Sequence, residues 1–229
     1  MENILVVDDE KEIADLITLV LKNEGYNVTI AYDGNSAKQY INSSEFDLAL
    51  LDVMLPDIDG FSLCSLIRQN YFYPIIMVTA KIGDMDKITG LTIGADDYIT
   101  KPFNPLELVT RVKSQLRRYH RYNKDNNENN DTIEIRGLTI NVKKHTVTLN
   151  GQAIDLTPLE FEILTYLAQH INQVVSSEDL FEAVWKEKFF NSNNTVMAHI
   201  ARLREKLHEP SRHPKYIKTV WGVGYRVDE

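Results

Sequence analysis

The first half of the chain alternates short apolar runs with segments whose apolar residues recur at helical spacing. Between the first two runs, the apolar positions from Ile13 to Leu21 follow the order i, i+3, i+4, i+7 and i+8, which predicts a helix that ends near Gly25. Near-continuous apolar runs are typical of strands covered on both faces. Five strands are therefore predicted in a parallel, doubly wound α/β domain, from the runs NILVV, YNVTIAY, DLALLDV, PIIMVTA and ADDYIT.

The second half begins with alternating apolar and polar residues, which predict a small antiparallel sheet from TIEIRG, LTINV, HTVTLNG and QAIDLT. Asn150-Gly151 is a strong hairpin turn signal. Three helical segments follow: PLEFEILTYLAQH, SSEDLFEAVW and NNTVMAHIARLREKLHE. The first has Pro158 in its first turn, and the second begins with a serine cap. The closing run YIKTVWGVGYRV predicts a hairpin around Gly222 and Gly224. This order predicts an α+β winged helix.

A polar segment separates the two halves. In NKDNNENNDT five of the ten residues are Asn and none is aliphatic, which predicts a linker. The 229 residues are enough for two domains, each with its own core. We therefore predict a first domain at 1–121, a flexible linker at 122–132 and a second domain at 133–229.

Composition places the protein in the soluble globular class, with 43% hydrophobic and 25% charged residues. No apolar run approaches the ~20 residues of a membrane helix, and the N-terminus lacks the features of a secretory signal. Cys64 is the single cysteine and is expected to be a small core residue. A cytoplasmic protein without a membrane partner is predicted. Because no zinc-ligand spacing occurs, any metal should be a hard, oxygen-bound cation.

Charge is unevenly distributed along the chain. The net charge of −8 argues against nucleic acid as a partner, but residues 202–226 hold seven Lys and Arg against two Glu, a local net charge of +5. Such a run is a candidate contact surface for DNA, although it is also typical of a solvated face.

Polar residues follow the predicted parallel strands. Asp8 and Asp9 follow the first strand, Asp52 ends the third, Thr79 ends the fourth and Lys101 follows the fifth. Ligands of such sheets bind beyond the carboxyl ends of the strands, so these groups should converge. Three carboxylates repel one another unless protons or a cation intervene, and Mg²⁺ is the simplest cation. If one carboxylate accepts a phosphoryl group, the metal and the lysine would neutralise the phosphoryl oxygens.

These motifs resemble a known family. The motifs are the paired acids Asp8 and Asp9 and the stretches LLDVMLPDIDG, MVTA and DDYITKPF. Through them, residues 1–121 resemble the receiver domain of two-component response regulators, which has a flavodoxin-like fold. The resemblance implies that Asp52 is the phosphoacceptor and that a sensor histidine kinase is the donor. It implies that Mg²⁺ is held by Asp8, Asp9, Asp52 and the Met54 carbonyl. It also assigns phosphoryl binding and switching to a further set: Thr79, Lys101, Tyr98 and Pro102, with a cis bond before Pro102.

Residues 133–229 resemble the winged-helix DNA-binding domain of the OmpR/PhoB subfamily. Three stretches are especially similar to the vancomycin-resistance regulators: SNNT, HPKYIKTVWGVGY and DKITGLTIGADDYITKPFNPLELVTRVKSQLRRY. The resemblance implies a transcriptional regulator that binds double-stranded promoter DNA and works with RNA polymerase. It is expected to control glycopeptide-resistance genes or another cell-envelope response.

The third helix of this domain is the expected DNA-reading element. Its spacing predicts a core face of Val196, Ile200, Leu203 and Leu207, and an outer face of Ala198, His199, Ala201, Arg202 and Glu205. By similarity to the subfamily, Arg202 is expected to read a guanine edge. Thr195, His199 and Arg204 are expected nearer to phosphates, and Lys215 is a further DNA contact. An ordinary surface histidine is the alternative for His199. Trp221 either packs on sugar and phosphate, which we favour, or is buried against the domain.

The subfamily forms homodimers on phosphorylation. Matching residues predict intersubunit pairs of Lys87 with Glu107, Asp97 with Arg111, and Asp96 with Arg118. The segment at 84–97 is rich in β-branched residues and contains Gly90 and Gly94, so it is a poor helix by propensity and a plausible switch.

Two other classes of function compete with a regulator. A phosphohydrolase with an aspartyl-phosphate intermediate also places acids and a lysine at strand ends, but it needs a nucleophile and an acid two residues apart. Here Asp8 and Asp9 are adjacent and residue 10 is Glu. A stand-alone phosphotransfer module would lack the second domain. The protein is therefore predicted not to be an enzyme.

Overall fold

The computed structural model describes residues 1–80, 93–124, 132–186, 193–210 and 213–229, without the side chains of 121–124 and 193–194. The chain divides into two compact units, Met1–Tyr119 and His120–Glu229. Each unit is described by itself below.

The N-terminal unit is a five-stranded parallel sheet in the order β2-β1-β3-β4-β5. Its strands are β1 (Asn3–Val7), β2 (Asn27–Ala31), β3 (Leu48–Leu51), β4 (Ile75–Ala80) and β5 (Asp97–Lys101). Its described helices are α1 (Lys11–Asn23), α2 (Gly34–Ser43), α3 (Gly60–Arg68) and α4 (Pro105–Lys124). The predicted flavodoxin-like architecture is confirmed, because all five strands lie where the apolar runs place them and are parallel.

Helices α1 and α4 contribute to one core cluster of this unit. Ile17 and Leu21 of α1 are buried with Leu108 and Val112 of α4 against the sheet. Leu16, which the helical spacing also turns inward, is instead exposed. Helix α1 ends before Gly25, as predicted, and Gly25 adopts the left-handed conformation (φ +89°) that glycine reaches without strain. Cys64 is buried in α3, as expected of a small core residue.

Helix α4 extends into the predicted linker, since it ends at Lys124 and the next described residue is Thr132. Residues 125–131 of that linker lie outside the described residues. The linker boundaries at 122 and 132 therefore stay a prediction. Within the described part of the chain, no helix is both long enough and apolar enough to cross a membrane.

From Thr132 onwards, the described residues of the C-terminal unit form two small antiparallel sheets and three helices. One sheet has the order β6-β7-β8-β9 and the other β10-β12-β11. The strands are β6 (Thr132–Ile135), β7 (Leu138–Asn141), β8 (Thr146–Leu149), β9 (Gln152–Ile154), β10 (Val175–Ser176), β11 (Ile217–Val220) and β12 (Gly224–Val227). The helices are α5 (Pro158–Gln169), α6 (Ser177–Trp185) and α7 (Asn193–Lys206). The predicted winged-helix domain is confirmed. Strand β10 was not predicted, because two residues are too short to show a period.

Local chemistry explains where these elements begin and turn. Helix α5 starts with Pro158 and with a capping box in which Thr157 and Glu160 each accept a backbone N–H of the other. The Ser176 side chain caps α6. Asn150 and Gly151 both have positive φ (+51° and +83°), as a hairpin turn of this kind requires.

The closing hairpin needs its two glycines for different reasons. Gly222 has φ +74°, which suits the turn at residues 221–223 between β11 and β12. Gly224 instead lies against the backbone of β10, where an added Cβ would be 2.0 Å from the Val175 carbonyl oxygen. The sequence predicted the turn, but only the three-stranded sheet explains Gly224.

Candidate functional site

The carboxyl edge of the parallel sheet brings together two acids and a lysine that are far apart in sequence. Asp8 follows β1, Asp52 follows β3 and Lys101 ends β5. The sheet fixes the backbone of Asp52, whose N–H donates to the Val7 carbonyl at 2.8 Å. Lys101 Nζ lies 2.8 Å from Asp8 Oδ2 and 2.7 Å from Asp52 Oδ2. The predicted convergence of these three side chains is confirmed by their distances.

A third carboxylate joins this group, and it is not the predicted one. Glu10 Oε1 lies 3.0 Å from Lys101 Nζ. Asp8, Glu10 and Asp52 each offer an oxygen within 4.8 Å of the others, whereas Asp9 is exposed and is not part of this group. Glu10 is the N-cap residue of α1. Its position two residues after Asp8, at the start of a helix, is the signal by which it could have been found.

Burial and their mutual contact shift the pKa values of Asp8 and Lys101. Burial raises the pKa of Asp8 above its ordinary value, although the bond to Lys101 opposes this effect. For Lys101, burial favours the neutral form, but its bonds to Asp52, Asp8 and Glu10 outweigh burial and raise its pKa. Lys101 is therefore a permanent cation at neutral pH.

The donor set fits a hard divalent cation. Carboxylate and carbonyl oxygens are the ligands that Mg²⁺ prefers, and three carboxylates already lie within 4.8 Å of one another. The Met54 N–H donates to Asp52 Oδ1 at 3.0 Å, which keeps the backbone of Met54 beside the Asp52 carboxylate. Asp8, Asp52 and the backbone of Met54 lie together at this edge, whereas Asp9 lies outside the acidic group, and the ligand set stays a prediction.

The loop between Asp52 and α3 is held at two points. The Asp57 carboxylate accepts the backbone N–H groups of Gly34 and Asn35 at the start of α2, at 2.7 and 2.8 Å. At the other end of the loop, a Cβ on Gly60 would lie 2.0 Å from the carbonyl oxygen of Asp52. Sequence reasoning did not single out either residue. Both restrict how far the backbone next to Asp52 can move.

The remaining predicted residues of this edge lie on β4, on β5 and just after β5. Thr79 is fully buried in β4, and its Oγ1 lies 3.5 Å from the Ala80 carbonyl oxygen. Tyr98 is half-buried in β5. The bond between Lys101 and Pro102 is cis, as the family resemblance implied.

The predicted dimer residues have partners within one chain. Arg111 binds the Asp97 carboxylate at 3.0 Å and Glu107 at 3.1 Å. Asp96 is buried and lies 2.6 Å from the guanidinium of Arg68, and its pairing with Arg118 of a second subunit stays a prediction. Arg118 donates to Gln115 Oε1 at 2.8 Å. Lys87 lies outside the described residues.

The predicted core face of α7 is confirmed, and part of its predicted outer face is wrong. Val196, Ile200, Leu203 and Leu207 are all buried. Ala198, His199 and Arg202 are buried as well, with His199 5.6 Å from the ring of Trp185. The apolar spacing did not reveal this, because the buried arc of the helix is wider than its apolar stripe. Both side chains are buried in the structure, and the DNA contacts predicted for His199 and Arg202 stay predictions.

Arg202 is buried because its counterion is buried. Arg202 lies 2.8 Å from Glu160 Oε1, and Lys206 lies 2.7 Å from Glu160 Oε2. Glu160 is completely buried, and its Oε2 also accepts the Thr157 N–H. Burial opposes ionisation of Glu160, but the two cations outweigh it and lower its pKa to about 2.

Three further basic residues of 202–226 are also engaged, and Arg212 lies outside the described residues. Arg204 donates twice to the Ile217 carbonyl, at 3.0 and 2.7 Å, and once to Thr219 Oγ1 at 2.8 Å. Lys218 and Arg226 both pair with Asp228. Glu160 and Asp228 lie outside the sequence window that gave a net charge of +5, so the predicted basic surface is largely neutralised. Arg204 thus links α7 to β11, and its contact with a phosphate stays a prediction.

Lys215 is exposed, and its Nζ donates to the Tyr216 hydroxyl at 2.8 Å and to the Arg136 carbonyl oxygen at 3.1 Å. Its contact with DNA stays a prediction. Thr195 is half-buried at the start of the described side chains of α7.

An exposed apolar surface lies between α7 and the turn that joins β11 to β12. Trp221 is 89% exposed and Val223 56% exposed on the turn, and Met197 is 52% exposed on the helix. These residues and Ala201 line a cleft of about 700 Å³. Of the two alternatives for Trp221, burial against the domain is contradicted.

Comparison with known proteins agrees with this architecture. Residues 4–113 match the response regulator receiver domain, and residues 151–227 match the C-terminal domain of transcriptional regulatory proteins. The chain is 61% identical to the regulatory protein VanRc of Enterococcus gallinarum and 53% identical to VanR of Enterococcus faecium. Each alignment covers the whole chain and 99% of the relative.

Solved structures give the same result. A mutant of RitR is 28% identical with a TM-score of 0.76, and DrrB, an OmpR/PhoB homologue of Thermotoga maritima, is 34% identical with a TM-score of 0.53. Both matches cover all of either chain. The two VanR relatives are regulatory proteins, and DrrB is a response regulator. The chain therefore belongs to the two-component response regulators of the OmpR/PhoB type, transcription regulators with a phosphorylation-dependent receiver domain and a C-terminal DNA-binding domain, and it is similar throughout its length to the VanR regulators.

Proposed function

We propose that Asp52 accepts a phosphoryl group from a sensor histidine kinase, and that phosphorylation controls binding of the second unit to promoter DNA. The observation that supports this most strongly is the position of Lys101, whose ammonium lies within 2.8 Å of both Asp8 and Asp52. A cation at this point can neutralise a phosphoryl group on Asp52.

The transfer uses one oxygen of Asp52 as the nucleophile. As the Asp52 oxygen forms a bond to phosphorus, the bond between phosphorus and the kinase histidine nitrogen breaks, and the electron pair of that bond stays on the nitrogen. Met54 N–H and Lys101 Nζ bind different oxygens of Asp52, which orients the carboxylate before the reaction. Because the pKa of Lys101 is raised, its charge is present throughout.

Mg²⁺ is the cofactor that this site suits. Asp8, Asp52 and the Met54 carbonyl would hold it, and when bound it supplies further positive charge to the phosphoryl oxygens. Asp9 stays a predicted ligand. Thr79 is proposed to bind the phosphoryl group, with Tyr98 following it as the switch residue.

The output is proposed to follow the subfamily. The phosphorylated protein forms a homodimer through the region that includes Glu107, Asp97 and Arg111, binds promoter DNA in the cytoplasm and contacts RNA polymerase. Helix α7 and the turn at 221–223 form the DNA-reading surface, since both lie beside the same cleft. Similarity to VanRc over the whole chain supports control of glycopeptide-resistance genes.

Labelling with acetyl phosphate and Mg²⁺ tests the phosphoacceptor. Asp52→Asn should abolish acid-stable labelling, because no other carboxylate of the edge has the same contacts with Met54 and Lys101. Asp47→Asn is the matched control, since Asp47 precedes the opposite end of β3 and should be dispensable. Undiminished labelling of the Asp52→Asn protein would contradict the assignment.

A further inference from the structure

The outer face of α7 is short of hydrogen-bonding groups in its described part. Thr195, Met197 and Ala201, here called the reading face, are the half-buried or exposed residues between 195 and 201. Met197 is 52% exposed, and its side chain contributes no strong donor or acceptor. Ala201 contributes only a methyl group. The sole strong hydrogen-bonding side chain of this face is the Thr195 hydroxyl.

The arginines and the lysine of the same helix are directed elsewhere. Arg202 is buried against Glu160, and Lys206 binds the same carboxylate. Arg204 holds the backbone of β11 through Ile217. Among the described side chains of α7 this leaves no arginine, lysine, asparagine or glutamine to make paired hydrogen bonds with a purine edge from the reading face.

We propose that the reading face recognises thymine through its C5 methyl group, with Met197 as the main specificity-determining residue. The inference rests on the proposed role of α7 in DNA reading and names what that helix reads. In the major groove the thymine methyl is the one apolar group that distinguishes a base pair, so an apolar face selects for it.

The surroundings of Met197 suit this role. Its unbranched thioether side chain adapts to a small apolar partner, and Ala201, one turn later, lets the helix approach the groove closely. The cleft of about 700 Å³ separates the reading face from the turn that carries Trp221 and Val223. A duplex places a sugar-phosphate strand between its two grooves, so this cleft can receive one strand while α7 enters the major groove.

The test removes single methyl groups from DNA. The full chain, phosphorylated with acetyl phosphate, first selects binding sites from a pool of random duplexes. Each thymine of a selected site is then replaced in turn by deoxyuridine, which lacks only the C5 methyl. At one or two positions per half-site this change should weaken binding about three- to fivefold, as expected for loss of one buried methyl-sized group. Met197→Ala should bring that ratio close to one.

Val174→Ala is the matched control, because Val174 is another exposed apolar residue of the same unit (40% exposed) that does not line the cleft, so this variant should keep the full deoxyuridine effect. The inference is overturned if no thymine is methyl-sensitive, or if Met197→Ala keeps the discrimination. If Met197→Ala weakens binding equally to the thymine and the deoxyuridine duplex and also lowers assembly in sedimentation, this face makes protein contacts instead. If the phosphorylated chain selects no sequence at all, the proposed DNA-reading role fails as well.

Discussion

Glu160→Gln should destabilise the DNA-binding unit strongly, although it changes only one buried group. Glu160 is fully buried and is the counterion of Arg202, whose side chain is 6% exposed. A neutral glutamine fits the same space but leaves the Arg202 charge buried without its carboxylate. Removing one partner of a buried ion pair lowers the free energy of unfolding by about 3–5 kcal/mol.

The pKa of Glu160 gives a second measure of the same effect. Its value of about 2, against an ordinary 4.5, corresponds to about 3 kcal/mol of unfolding free energy at neutral pH. Because the folded-state pKa is lowered, this contribution is complete above pH 4.5 and is lost as the pH falls towards 2. The difference in unfolding free energy between wild type and Glu160→Gln should shrink over the same range.

The chain provides its own probe for this measurement. Both tryptophans, Trp185 and Trp221, belong to the C-terminal unit, so tryptophan fluorescence during urea unfolding reports on that unit alone. Lys218→Met is the matched control: its pair with Asp228 is partly exposed and should be worth at most about 1 kcal/mol. A loss of under 1 kcal/mol for Glu160→Gln would refute the reasoning, because Arg202 would then be satisfied without Glu160.

Three further variants test the DNA-binding surface and the loop beside Asp52. Arg204→Met removes the bonds that fix β11 to α7, and it should weaken binding to a selected site about tenfold while leaving the salt dependence of binding unchanged. Lys215→Ala should lower the slope of the logarithm of the binding constant against the logarithm of the salt concentration by about 0.9, because one phosphate contact is lost. An equal change of slope in the Arg204→Met protein would show that Arg204 also contacts DNA. Asp57→Ala frees the loop beside Asp52, and the initial rate of labelling by acetyl phosphate should fall up to about tenfold. An unchanged rate across Mg²⁺ concentrations would show that this anchor does not position Asp52.

Much of the receiver domain could be predicted from sequence, because its signals are local. Runs of apolar residues specify buried parallel strands, and the rule that parallel strands share a carboxyl edge then brings Asp8, Asp52 and Lys101 together without any knowledge of distances. The Asn150-Gly151 turn was equally predictable, since positive φ at two successive positions restricts the residues that can occupy them.

The tertiary structure alone decided which polar side chains face outwards. Glu10 joins the acidic group in place of Asp9 because the first turn of α1 directs it back towards Lys101. Lys206 shares the carboxylate of a residue 46 positions earlier, Glu160, which also draws Arg202 into the interior. The periodicity of a helix shows which of its faces is apolar. A charged residue, in contrast, is buried or exposed according to whether a counterion is buried beside it. That counterion is supplied by a distant part of the chain, so the sequence around α7 could not reveal it.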